Sequence, residues 1–127
     1  MNLKLVSVIM SVHNNERTVE KSIESILEQD YDNLELLLID DGSSDKTYEI
    51  CKKYVNSNKN VKLYQNEYNI GLTKSLNLLA KKAEGYFIAR QDADDISATS
   101  RIRKQVQFMK KYNLDACTTR AFVMNTK

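Results

Sequence analysis

The sequence predicts an α/β domain with a doubly wound, mostly parallel sheet and helices on both faces, and three observations carry that prediction. Short apolar runs rich in β-branched residues alternate with stretches whose apolar residues recur at helical spacing. The second run, Leu34 to Ile39, lacks the polar alternation of a half-exposed strand, as expected for a strand covered on both faces. Polar clusters follow the first, second and fourth runs, and another precedes the third helix. With right-handed crossovers, all of these fall at the carboxyl edge of the sheet, where such folds bind ligands.

Leu5 to Val12 reads as the first strand, running into the polar loop His13-Asn14-Asn15. Val19, Ile23, Ile26 and Leu27 then mark a helix that an Asn ahead of it can cap and that Asp30 to Asn33 breaks. Leu34 to Ile39 is a second strand delivering Asp40-Asp41-Gly42-Ser43-Ser44 at its end. A helix from near Asp45, with Ser43 or Ser44 as its cap, carries Tyr48, Cys51 and Val55 inward, and Val61 to Tyr64 makes a short third strand. From about Leu72 to Lys82 a helix buries Leu72, Leu76, Leu79, Ala80 and Ala83, with Gly85 suited to a left-handed C-terminal position. Tyr86 to Gln91 is the fourth strand. Thr99 to Tyr112 is a helix with Ile102, Val106 and Met109 on one face, and Ala116 to Val123 is a candidate fifth strand.

The 127 residues suit one domain, 1–127, with no repeats or low-complexity tracts. Charged residues at 28% and apolar ones at 42% place the chain among globular proteins rather than disordered or membrane ones. A net charge of +2, spread over helix faces, gives no reason to expect nucleic-acid binding. Cys51 and Cys117 lack metal-ligand spacing and suit a reduced, cytoplasmic protein, and no leader or membrane span is expected. Oligomeric state is open, since no sustained heptad is visible.

The acidic run Asp92-Ala93-Asp94-Asp95 directly follows the fourth strand. Alternation sends Asp92 and Asp94 to one side, and so many like charges at a strand end call for a counter-ion, such as a divalent cation holding a diphosphate. The same run also suits a solvated turn. Asp40-Asp41-Gly42-Ser43-Ser44 likewise suits a turn with an N-cap, or a carboxylate that accepts from a nucleobase imide. Asn69-Ile70-Gly71 opens the third helix, where unpaired N–H groups and the helix dipole favour anions. Lys74, one turn in, is either a phosphate partner or a solvated lysine.

Val8-Ile9-Met10-Ser11-Val12-His13-Asn14, Ile39-Asp40-Asp41-Gly42-Ser43-Ser44-Asp45, Asn69-Ile70-Gly71-Leu72 and Asp92-Ala93-Asp94-Asp95 resemble, in order and spacing, the successive motifs of family 2 glycosyltransferases over residues 5 to 110. The resemblance implies the GT-A fold, a nucleotide-diphospho-sugar donor with UDP favoured, Mn²⁺ or Mg²⁺, and transfer with inversion to a glycan or lipid-linked acceptor. It places Ser11, His13 and Glu16 near the base and ribose, Asp41 on the uracil imide and Asp40 in support of the turn. Asn69 and Gly71 then fall beside the diphosphate, and Lys74 or Arg90 is the candidate for the phosphate-side cation. Asp94 binds the metal, Asp92 contacts ribose or a metal-bound water, and Ala93 keeps the backbone close to the donor. The chain departs from the commonest pattern at Ser11, where proline is usual, at His13, where tyrosine is, and at Leu76, where many relatives carry arginine.

In this family a carboxylate general base ordinarily lies well beyond the metal motif, so the base is expected past Lys127 and the chain reads as truncated at its C-terminus. The expectation is weak donor binding with poor transfer, and a binding module without catalysis is the rival. An aspartate-dependent phosphotransferase is disfavoured because Ser11-Val12-His13-Asn14 follows the first strand, where that class carries its nucleophilic Asp. The expected location is cytoplasmic, or the inner membrane face if the acceptor is lipid-linked.

Overall fold

The computed structural model describes residues 2–124. Four strands, β1 (Val6–Val12), β2 (Leu34–Asp40), β3 (Val61–Gln65) and β4 (Phe87–Arg90), alternate with α1 (Val19–Leu27), α2 (Thr47–Ser57), α3 (Leu72–Lys82) and α4 (Arg101–Tyr112). All strand pairs are parallel, in the order β3-β2-β1-β4.

The apolar runs become strands because both sheet faces are covered. Val6, Val8, Met10 and Val12 of β1, with Leu36 and Leu38 of β2, pack against Ile23 of α1, Cys51 of α2 and Ile102 and Val106 of α4. The opposite face puts Ile9, Leu37 and Ile39 against Leu79 of α3. Burial, then the nearby Asp40 charge, pushes the Cys51 thiol up to about 12, which leaves it inert as a nucleophile.

Several expectations are corrected. Ala116 to Val123 forms no strand; Phe122 and Val123 are 95% and 92% exposed, and β4 is an edge strand without a partner on its outer side among the described residues. The segment does not pair with that open edge, and β-propensity without pairing makes no strand. Leu72 is half exposed at the start of α3 rather than buried. Neither Asn15, Ser43 nor Ser44 caps a helix through its side chain: the Asn15 carbonyl receives the Thr18 and Val19 N–H groups, and Asp45 receives the Thr47 N–H at 2.9 Å.

Gly85 is not left-handed either; α3 already ends in extended backbone at Ala83. Its lack of a side chain serves a close approach. A Cβ there would stand 2.5 Å from the Ser7 nitrogen and 2.7 Å from the Phe87 carbonyl oxygen. The Gly85 N–H donates to Ser7 Oγ (2.8 Å), and Ser7 Oγ donates to the buried Glu35 carboxylate (2.6 Å), which also takes the Glu84 N–H and Lys62. Burial works to raise the Glu35 pKa, but these donors outweigh it and hold the carboxyl below its ordinary range. Gly85→Ala is therefore expected to cost about 2 kcal/mol of stability by overpacking. Urea denaturation checks this; a midpoint equal to that of the parent would refute it.

Candidate functional site

The strand order reverses direction between β1 and β4, and the cleft opens at the carboxyl ends of the strands around that switch point. It measures about 370 Å³ and is lined by Ser11, His13, Asn15, Asp41, Asn69, Gly71, Leu72, Asp92, Ala93 and Asp94. Four separate segments thus converge, because a parallel sheet delivers every strand end to one side. A larger hollow of about 660 Å³ runs along β4, α4 and residues 115–119, and it touches none of the loops after β1, β2 and β3.

Glu16, Asp40, Lys74 and Arg90 do not line the cleft. The Glu16 carboxylate receives the Lys46 N–H (3.2 Å) and so braces the start of α2. Asp40 is fully buried and supports the turn by accepting from the Ser43 N–H (3.2 Å) and Gln65 (3.3 Å); its other oxygen has no partner among the described residues. Lys74 is exposed on α3. Arg90 is on the side of the larger hollow, paired with Asp92.

The loops after β1 and β2 are laced together. Asn14, at φ +50°, donates its N–H to Ser43 Oγ (3.0 Å) and accepts the Ser44 N–H (2.8 Å). His13 Nδ1 lies 2.8 Å from the Asp41 carbonyl oxygen, and since a carbonyl only accepts, Nδ1 carries the proton and Nε2 faces Asn14 as an acceptor. Gly42 (φ +69°) lets the third loop close over this pair, since a Cβ would stand 2.8 Å from the Asn69 nitrogen.

Asp41 is 2% exposed and accepts from the Ile70 N–H (2.8 Å), the Gly71 N–H (2.9 Å) and Asn66 (3.0 Å). Burial opposes ionisation, yet these donors, with Ser75, hold its carboxyl below the usual range. The Ile70 and Gly71 N–H groups are thus already taken by Asp41, a carboxylate gathered at the entry to α3. Its oxygens are largely committed to shaping this loop.

The acidic turn rests on a polar network that the sequence did not disclose. Gln91, 3% exposed, donates to the Asp95 carbonyl (2.8 Å) and Ser22 (3.2 Å) and accepts from Ser97 (2.7 Å) and Arg101 (2.8 Å). Arg101 also holds the Arg90 carbonyl (2.8 Å), and Ser22 holds the Asp92 carbonyl (2.9 Å). Asp92 meets Arg90 through both oxygens, at 2.9 and 3.3 Å. Asp94 is exposed and has no side-chain hydrogen bond or ion pair among the described residues. Burial, then the charges of Asp94 and Asp92, raises the Asp95 carboxyl above its usual range.

This donor set fits a hard divalent cation. No cluster of three His, Cys, Asp or Glu ligands stands ready among the described residues. Mg²⁺ and Mn²⁺ sites completed by a phosphate substrate need only one or two carboxylates, which Asp94 and Asp92 provide.

The sequence signature of glycosyl transferase family 2 matches residues 7–126, from the second residue of β1 to beyond the end of α4. The chain belongs to glycosyl transferase family 2. EpsE of Bacillus subtilis (strain 168) is 50% identical over 108 residues, covering 84% of this chain and 39% of EpsE. WfgD of Escherichia coli, named a UDP-Glc:α-D-GlcNAc-diphosphoundecaprenol β-1,3-glucosyltransferase, is 42% identical over 110 residues, 87% of this chain and 43% of WfgD. The crystal structure of S. aureus TarS 1–349 in complex with UDP-GlcNAc superposes with a TM-score of 0.79 at 31% identity, covering 86% of this chain and 32% of that one. The fold of this family 2 glycosyltransferase is GT-A, and the chain spans about two fifths of the length of the relatives it matches.

Asn15 and Leu72 of the transferase line the cleft without having been singled out from sequence. Leu72 ends the Asn69-Ile70-Gly71-Leu72 motif but was read as a core position by helical spacing. Gln91 carried a usable signal, an amide between an apolar strand and an acidic run. Arg101 carried none, because an arginine at a helix start is usually solvated.

Proposed function

We propose that this transferase moves a sugar, with inversion at the anomeric carbon, from a UDP-sugar to a hydroxyl of a glycan or lipid-linked acceptor, with Mn²⁺ or Mg²⁺ as its cofactor. The carrying observation is the charge of the cleft: Asp41, Asp92 and Asp94 line it, and among the described residues no Lys or Arg does. A diphosphate entering among these carboxylates needs a cation with it. WfgD is named for a UDP-sugar donor and a diphosphoundecaprenol-linked acceptor, and TarS is seen with UDP-GlcNAc; both favour the same chemistry here.

Asp94, with Asp92 as a second carboxylate, would hold the cation, which when bound supplies neutralisation of the charge that builds on the departing diphosphate. Asp41 holds the Asn69–Gly71 loop in place at the mouth of the cleft. Ala93, 5% exposed, adds no bulk between the two carboxylates. As the acceptor oxygen bonds to the anomeric carbon and the bond to phosphate breaks, the acceptor proton must pass to a base. Asp41 and Asp92 are engaged and Asp94 is assigned to the cation, so no described carboxylate of the cleft is left for that role. The second reading is a module that binds the nucleotide sugar without transferring it.

Calorimetry with UDP tests the donor reading: affinity at least about tenfold higher with Mn²⁺ than without is expected for a cation-bridged diphosphate. Equal affinities would refute it. Detection of glycosylated product separates transfer from binding alone. We place the protein in the cytoplasm, at the inner membrane face when the acceptor is lipid-linked; fractionation with extracellular proteins would contradict that placement.

A further inference from the structure

Asp92 stands on the ridge between the two hollows and lines both, whereas Arg90 lines only the larger one along β4. From there Arg90 reaches Asp92 with a fork, Nε to Oδ1 at 2.9 Å and Nη2 to Oδ2 at 3.3 Å. Both carboxylate oxygens are therefore occupied from the side opposite the cleft. The base of the fork is anchored, because the Arg90 carbonyl takes an Arg101 N–H and β4 is paired to β1 as far as Arg90. Only the side chain is free to move. At 53% and 41% side-chain exposure, Arg90 and Asp92 form a hydrated pair of the kind that exchanges partners easily. Asp94, two residues on, has no such partner among the described residues, so Asp92 and Asp94 differ in kind.

We infer that Arg90 is an internal counter-ion that occupies Asp92 until a cation and a diphosphate arrive together, the cation taking the Asp92 oxygens and the diphosphate taking the guanidinium fork. The inference rests on the donor reading above and deepens it. One ion pair inside the protein is exchanged for two pairs with the incoming salt, so charge stays balanced throughout. Either ion alone is disfavoured. A lone cation must open the pair and leave Arg90 beside a dication, and a lone diphosphate must strand Asp92 beside its own negative charge. The fork suits the task, since a planar guanidinium binds phosphate oxygens in the same bidentate way as carboxylate oxygens. The pair thus acts as a lock against free metal and makes cation and donor binding reciprocal.

The test measures Mn²⁺ binding by electron paramagnetic resonance, with and without UDP, in the parent protein and in Arg90→Gln, Arg90→Lys and Asp94→Ala. Arg90→Gln is expected to bind Mn²⁺ alone about three- to tenfold more tightly than the parent, and to lose most of the enhancement that UDP gives. Arg90→Lys should fall between, because an ammonium keeps the charge and lacks the fork. Equal Mn²⁺ affinities of parent and Arg90→Gln without UDP, or an undiminished UDP enhancement, would overturn the exchange. Asp94→Ala distinguishes the two levels. If it loses Mn²⁺ while Arg90→Gln behaves as the parent, the donor reading stands and the exchange falls; if it keeps parental Mn²⁺ affinity, the donor reading falls and takes the exchange with it. Matching thermal melts establish that the half-exposed Arg90 positions are replaced without unfolding.

Discussion

Replacing Asp94 by Ala is expected to lower sugar transfer by about 10²- to 10³-fold, the usual cost of removing a group that stabilises charge only as the leaving group departs. Metal dependence of UDP binding should vanish with it. Stability should hold or rise slightly, because Asp94 is exposed, carries no bond among the described residues and adds to the charge that burdens Asp95. Calorimetry with UDP and Mn²⁺, a transfer assay and a urea titration make the three comparisons. A variant with parental metal-dependent binding would remove Asp94 from the site.

The second large effect is expected at Asp41, and there the signature is reversed. Asp41→Asn should cost about 3 kcal/mol of stability, since hydrogen bonds to a charged group are worth more than neutral ones and an orphaned donor adds its own penalty. The amide keeps one oxygen for Ile70 or Gly71 and turns an N–H toward the other, donor against donor. Hydrogen exchange at the Ile70 and Gly71 amides should quicken most. The pH dependence carries the same sign. A carboxylate whose folded pKa is depressed contributes stability above its unfolded value of about 4 and loses it as pH falls through the folded one. Glu35, at the other end of the sheet, acts in the same direction. The parent should weaken in acid from about pH 4 downward, and Asp41→Asn should flatten part of that slope. An unchanged acid limb would show that the carboxylate charge is not what holds the loop.

The elements that hydrophobic periodicity could reach were legible in the sequence. Val19, Ile23 and Ile26, or Ile102 and Val106, can only bury together if their segments are helical, and runs such as Leu36 to Ile39 have no face to give to water. Once the strands are parallel, their polar ends must collect, so the clusters after β1, β2 and β4 and the loop before α3 could be brought together from sequence, while the choice of Ser11, His13, Asp41 and Asp94 within them came from motif resemblance. What escaped was everything decided by a single contact across the chain. Gln91 to Arg101, Arg90 to Asp92, and Gly85 against Ser7 depend on side-chain direction and ångström-scale approach, which periodicity does not encode. Glu16 was placed by motif resemblance and Lys74 by its position one turn into the third helix; the first is spent on Lys46 and the second is exposed on α3. Ala116 to Val123 had the composition of a strand, but a strand is a property of a pair.

Among the described residues the outer flank of β4 is unpaired, and this bears on how the chain behaves in company. β4 carries main-chain donors and acceptors on its outer side, with Tyr86 and Ile88 70% and 51% exposed beside them, which is the surface on which a foreign strand can add itself. Two features blunt that invitation: the strand is four residues long, and it terminates in an arginine. At high concentration, lateral self-assembly along this rim is the expected route to precipitation, and a charge at Ile88 is the change that should delay it.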